Sequence, residues 1–179
     1  MATIRYGNAV KDKMTKAIVE VLTTIGYQVA LNAYRQKTFQ NRTFNLHDSY
    51  GSAVFVNGAL VNDSIKYVQR ARSKKRDTHG HSINGAKTGR EALNRFFKSA
   101  WIVRKQDYIT VVVAAAMWYA DIVEYKGKVV LDEQYVAKEI RQRFDKVLPS
   151  IISKYPDLKG FEPLIRKYVG FDETYYRDL

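Results

Sequence analysis

Four clusters of side chains in this chain have the residue types that chemistry uses. His47-Asp48-Ser49 carries the three types of a hydrolytic triad. A triad converges through space, base against nucleophile with an acid behind, and three consecutive side chains cannot converge in that way. The geometry leaves turn or capping chemistry, with Asn45 as a cap and Asp48 returning the bond. Gly80-His-Ser-Ile-Asn-Gly85-Ala-Lys87-Thr88 approaches the phosphate-cradling loop, but Ala86 separates Gly85 from Lys87, and a basic segment stands where a strand should precede. His79 and His81 could touch a metal, yet no third ligand is close in sequence and cysteine is absent. Asp121 and Glu124 lie one turn apart on a helix but face opposite sides of a strand. No constellation demands catalysis. The expectation is a protein that is not an enzyme and uses neither metal nor cofactor.

Charge is the stronger signal. The chain carries a net charge of +12, and residues 66–105 hold twelve Lys or Arg against two acids, Asp77 and Glu91. The remaining residues are nearly balanced, with 18 basic and 16 acidic side chains. So local an excess favours contact with a polyanion or an acidic protein face. The candidate contacts are Arg70, Arg72, Lys74, Lys75, Arg76, Lys87 and Arg90, on a polar segment, 69–89, whose only strongly apolar residue is Ile83. Such a segment cannot bury enough surface to order itself, so it reads as a long mobile arm that orders on assembly. It interleaves few aromatics, which argues against a stacking platform for single strands.

The elements that would position these residues follow from periodicity. Val10, Met14, Ala17, Ile18, Val21, Leu22, Ile25, Val29 and Ala33 step by three and four, predicting one long amphipathic helix that frays near 36–38. Gly26 within it marks close packing or a bend. Alternating residues 53–61 around Asn57-Gly58 predict a hairpin, its second strand running toward Val68. Ala92, Leu93, Phe96, Phe97 and Ala100 predict a short helix ending near Trp101. Residues 107–116, apolar on both faces, read as a central strand, with a turn at Lys126-Gly127 beyond it. From Asp132 to about Lys154 a third helix is expected, kinked or ended by Pro149. The fold class is α+β: a long N-terminal helix and a C-terminal helix packed on a small antiparallel sheet. Residues 1–154 read as one domain. Residues 155–179 read as an interaction tail through Phe161, Leu164, Ile165, Tyr168, Phe171, Tyr175 and Tyr176, because no long stripe there completes the domain's own core. No apolar run is long enough to span a bilayer, and the absence of cysteine fits a reducing cytosol.

Two stretches carry a family resemblance. "TFQNRTFNLHDSYGSAVFVNG" resembles the threonine-glycine-asparagine-leucine signature that opens the sheet in bacteriophage head–tail joining and tail-completion proteins. Thr43, Asn45, Leu46 and Ser49 match, while Phe44 replaces the usual glycine and Tyr50 the usual aliphatic residue. "WYADIVEYKG" resembles a second segment of that family through Tyr119, Ala120, Val123, Glu124 and Gly127, with one extra residue before the glycine. The resemblance implies a non-catalytic virion protein of the phage neck, made in the host cytoplasm and built into a ring between portal and tail. It implies roughly twelve copies in preference to about six, with the portal and other neck or tail proteins as partners and genomic DNA in the channel, read without sequence specificity. The alternative reading is a nucleic-acid-binding protein acting through residues 66–105.

Overall fold

A stripe of apolar residues runs along the first helix, and one face of the sheet and the later helix over residues 133–152 pack against it. The computed structural model describes residues 8–38, 46–68, 75–76, 82–83, 85–99, 109–117 and 132–168. Among these, the helices are α1 (Asn8–Gln36), α2 (Gly85–Lys98), α3 (Glu133–Ile152) and α4 (Glu162–Tyr168). The strands are β1 (Tyr50–Val56), β2 (Ala59–Leu60), β3 (Lys66–Tyr67), β4 (Lys75–Arg76), β5 (Ser82–Ile83) and β6 (Ile109–Ala115). The class is α+β, with a small antiparallel sheet. The Asn45 cap, Trp101, the turn at Lys126-Gly127 and the second resemblance segment, 118–127, lie outside the described residues.

β1 is the centre of the sheet. β6 pairs with it along its whole length, from Tyr50↔Ala115 to Val56↔Ile109. Its other edge takes β2 at Phe55↔Leu60 and β3 at Gly51↔Tyr67. Asn57 and Gly58 make the intervening turn with φ of 52° and 78°, the left-handed pair that matches the twist of a hairpin. The expected second strand is split, because a one-turn helix at Asn62–Ser64 interrupts it. The Ser64 hydroxyl stands in for the missing ladder: it accepts from the Val54 N–H at 2.7 Å and lies 2.6 Å from the Val61 carbonyl and 3.2 Å from that of Val54.

β6, expected at the centre of the sheet, pairs with β1 alone among the described residues; it is apolar on both sides because helices cover both faces of the sheet. Ile109, Val111 and Val113 join Val54 against α1, whereas Val112 and Ala114 join Ala53 and Phe55 against Leu93 and Phe97 of α2. α1 crosses the sheet at Gly26, where a Cβ would lie 2.9 Å from Val111 Cγ2 and 3.0 Å from Ser52. The glycine therefore serves close packing. Ser52 Oγ, sealed beneath it, has no hydrogen-bond partner among the described residues. The two buried serines should consequently respond in opposite ways. Ser64→Ala strands the buried Val54 N–H and should cost about 1–3 kcal/mol. Ser52→Ala removes an unpaired hydroxyl and should be neutral or stabilise by about 1 kcal/mol. Urea denaturation of both variants checks this, and a loss in Ser52→Ala as large as that in Ser64→Ala would refute it.

On the far side of α1 lies α3, whose Ile140, Phe144, Leu148 and Ile151 pack against Val21, Leu22 and Ile25. Asp132 caps its start, accepting from the Tyr135 N–H at 2.9 Å. Pro149 neither ends nor breaks this helix, which continues to Ile152. A proline at 149 deprives the Asp145 carbonyl of its helical donor. The Arg166 guanidinium supplies one instead, donating to that carbonyl at 3.1 Å while it also pairs with the Asp145 and Glu162 carboxylates.

The chain's own core extends past Lys154. Leu158 and Ile165 are 0% and 1% exposed and belong to the cluster formed by α1 and α3. Polar clamps reinforce the seam: Lys13 pairs with Asp157, and Glu20 accepts from the Lys154 ammonium and, at 3.0 Å, from the Tyr155 hydroxyl. The Lys154 bond holds the Glu20 carboxyl below its ordinary value of 4.5, against the opposite pull of burial and with help from Tyr155. A depressed carboxyl stabilises the fold above its unfolded pKa, and that stability is lost as pH falls through the folded value. Glu20→Gln should therefore be less stable than the parent at neutral pH, with the gap closing below about pH 4.5. Thermal melts across an acid series would show it. A gap that stays constant with pH would rule the linkage out.

Candidate functional site

The only sequence-selected cluster with an exposed, chemically distinct face in the described residues is the basic one, and α2 carries it. α2 begins at Gly85, two turns earlier than its apolar stripe predicts. The early turns are polar and contain Gly85 and Gly89, poor helix formers both. Packing outweighs propensity here. Gly89 is buried against the turn His47–Ser49, and a Cβ on it would lie 2.5 Å from the carbonyl carbon and oxygen of Asp48. Gly51 plays the matching role in β1, where a Cβ would meet the Lys66 carbonyl at 2.6 Å and Leu93 Cδ1 at 3.0 Å. Two glycines thus let α2 lie directly on the sheet and on the turn that launches it.

Polar contacts fix the helix further. The Tyr67 hydroxyl donates to Asn94 Oδ1 at 2.6 Å, and the Arg90 guanidinium sits 5.1 Å from the centroid of the same Tyr67 ring. This leaves an outer face bearing Lys87, Glu91, Arg95 and Lys98, all exposed. Lys87 and Glu91 are 3.9 Å apart, an exposed pair of little energetic weight. Arg95 and Lys98 meet no carboxylate among the described residues, and with Glu91, Asn94 and Ser99 they border a shallow open depression.

The sequence-predicted residues divide as follows. Lys87 and Arg90 lie on α2, inside the helix rather than on an unstructured arm. Lys75 and Arg76 form β4, which pairs with β5 through Lys75↔Ile83 and Arg76↔Ser82. Backbone pairing needs no apolar side chains, so the segment's polarity did not forbid it. β5 falls inside the Gly80–Thr88 stretch, where a phosphate-cradling loop would have no strand. Arg70, Arg72 and Lys74, with His79, His81, Asp121 and Glu124, lie outside the described residues. Ser49 is fully buried and its hydroxyl donates to the Leu46 carbonyl at 2.8 Å, so it closes a turn. Among the described residues no group of three or more His, Cys, Asp or Glu is placed to hold a metal, and no helix is long and apolar enough to cross a membrane.

The tail departs from expectation. Ile165, expected to meet a partner, is buried in the chain's own core, and Phe161 and Leu164 are half-buried beside it. Two anchors, Leu158 and Ile165, suffice to dock the segment, so no long stripe is required. The Tyr168 side chain and Phe171, Tyr175 and Tyr176 lie outside the described residues. Sequence reasoning passed over Arg95 and Lys98, although the stripe Ala92, Leu93, Phe96, Phe97 already places them opposite the core. It also missed the Tyr67–Asn94 hydrogen bond, which no local pattern announces.

Compared with known proteins, the chain matches no family model, no curated protein and no solved structure.

Proposed function

We propose that the chain is a structural subunit of a tailed-bacteriophage neck, one of a ring of copies joining portal to tail around the DNA channel. The observation that carries this reading is the arrangement about the first resemblance stretch. Within its described stretch 46–58, Leu46 to Tyr50 form a buried turn that starts the central strand, with α1 on one side of the sheet and α2 seated on the turn itself. A ring subunit needs a rigid core of this kind with heterologous contacts repeated about an axis. An ordered basic face suits a channel wall that meets phosphate without reading bases. No catalytic step belongs to the proposal.

Cryo-electron microscopy of tailed particles purified from cells that produce this chain tests it. Density for the chain at the junction of head and tail, repeated by a closed rotational symmetry, is the expected result. Absence of the chain from purified particles overturns the reading.

A further inference from the structure

We infer that the outer face of α2 binds the phosphate backbone of duplex DNA and does not read its sequence. α2 carries four cations, Lys87, Arg90, Arg95 and Lys98, against the single carboxylate of Glu91. α3 is nearly balanced, with four cations and three carboxylates, and Arg143 on it is bonded to Glu139. The excess on α2 is therefore a property of one surface. Lys87 and Lys98 stand three turns apart on one line of the helix, about 16 Å at 1.5 Å per residue. A duplex presents a phosphate for every 1.7 Å or so of its axis, so several fall within that reach.

The choice of partner follows from what the face lacks. Protein interfaces are anchored by aromatic or aliphatic groups in a desolvated centre. The apolar residues of α2 are instead turned onto the sheet, with Ala92, Leu93 and Phe97 buried. What remains outside is recognised by charge. Base readout is blocked by interactions already made. An asparagine reads adenine with both its carbonyl and its amide, but the Asn94 carbonyl is held by the Tyr67 hydroxyl. An arginine forks onto guanine, but Arg90 lies over the Tyr67 ring. The same interactions, with Gly89 against Asp48, fix the helix in place, so the cations are presented without a backbone ordering cost.

The inference deepens the channel-lining part of the reading above, and its test uses the isolated 179-residue chain so that the two can fail separately. Fluorescence anisotropy with two labelled duplexes of unrelated sequence, across a potassium chloride series, gives affinity and its salt slope. The parent should bind both duplexes equally, with log affinity falling linearly in log salt. Arg95→Ser with Lys98→Ser should make the slope shallower by about 1.8, near 0.9 for each phosphate no longer neutralised, on both duplexes alike. Lys138→Ser with Lys146→Ser on α3 should change neither quantity. An unaltered slope in the Arg95/Lys98 variant overturns the inference, as does tighter binding of the parent to polyglutamate than to DNA. Either failure, with the chain still found at the neck of particles, leaves the ring reading standing. DNA binding as expected, with the chain absent from particles, does the reverse.

Discussion

Replacing Gly89 with alanine should lower stability by about 3 kcal/mol, although alanine is the better helix former by about 1 kcal/mol. The added methyl would sit 2.5 Å from the carbonyl group of Asp48. That neighbour is backbone in a buried turn, with Ser49 behind it at 0% exposure, so it cannot swing aside as a side chain would. Relief requires α2 to lift from the turn, which would also draw Leu93 and Phe97 away from Ala53 and Phe55. For a chain of this length, a loss of that size corresponds to roughly 6–12 °C in melting temperature. Calorimetry decides it. A melting temperature unchanged or raised would show that the helix has room to spare.

Removing residues 155–179 should leave a molten product instead of a folded subunit without its tail. The cut deletes Leu158 and Ile165, both sealed in the core, and uncovers Leu148, Ile151 and Ile152 beneath them. Truncating one buried aliphatic side chain to alanine typically costs about 2–5 kcal/mol. Losing two together, with the partners of Lys13 and Asp145, approaches the whole stability of an ordinary domain, about 5–15 kcal/mol. The 1–154 fragment should retain far-UV helical signal, lose near-UV signal and bind a hydrophobic dye. A fragment that is monomeric and melts cooperatively would contradict this, and would restore the tail to the role of a docking arm.

These two cases also mark where the sequence was legible. α1 could be read from its stripe, the hairpin from Asn57-Gly58, and α3 from Asp132 and its three-and-four spacing, because each signal is local. The early turns of α2 could not be read, since Gly89 looks like a helix breaker until Asp48 is seen against it. Nor could the split second strand, whose gap is filled by the Ser64 hydroxyl. The tail misled because its two anchors are isolated in sequence and become significant only beside Val21 and Leu148. Within the basic segment, composition located the surplus charge. Which cations face outward was settled by Tyr67 engaging Arg90 and Asn94 across a long stretch of chain.

The guanidinium of Arg166 on the Asp145 carbonyl has a consequence for how the molecule opens. A proline inside a helix normally makes the last turn an independent fraying end. Here the missing bond is supplied from α4, so the C-terminal turns of α3 and the whole of α4 share one source of protection. They should open as a single cooperative unit and not peel residue by residue. In hydrogen exchange, the amides of 150–152 and of 165–167 would then exchange with a common opening free energy. Arg166→Met should lower it for both sets together, while the amides of α1 and β1 keep theirs.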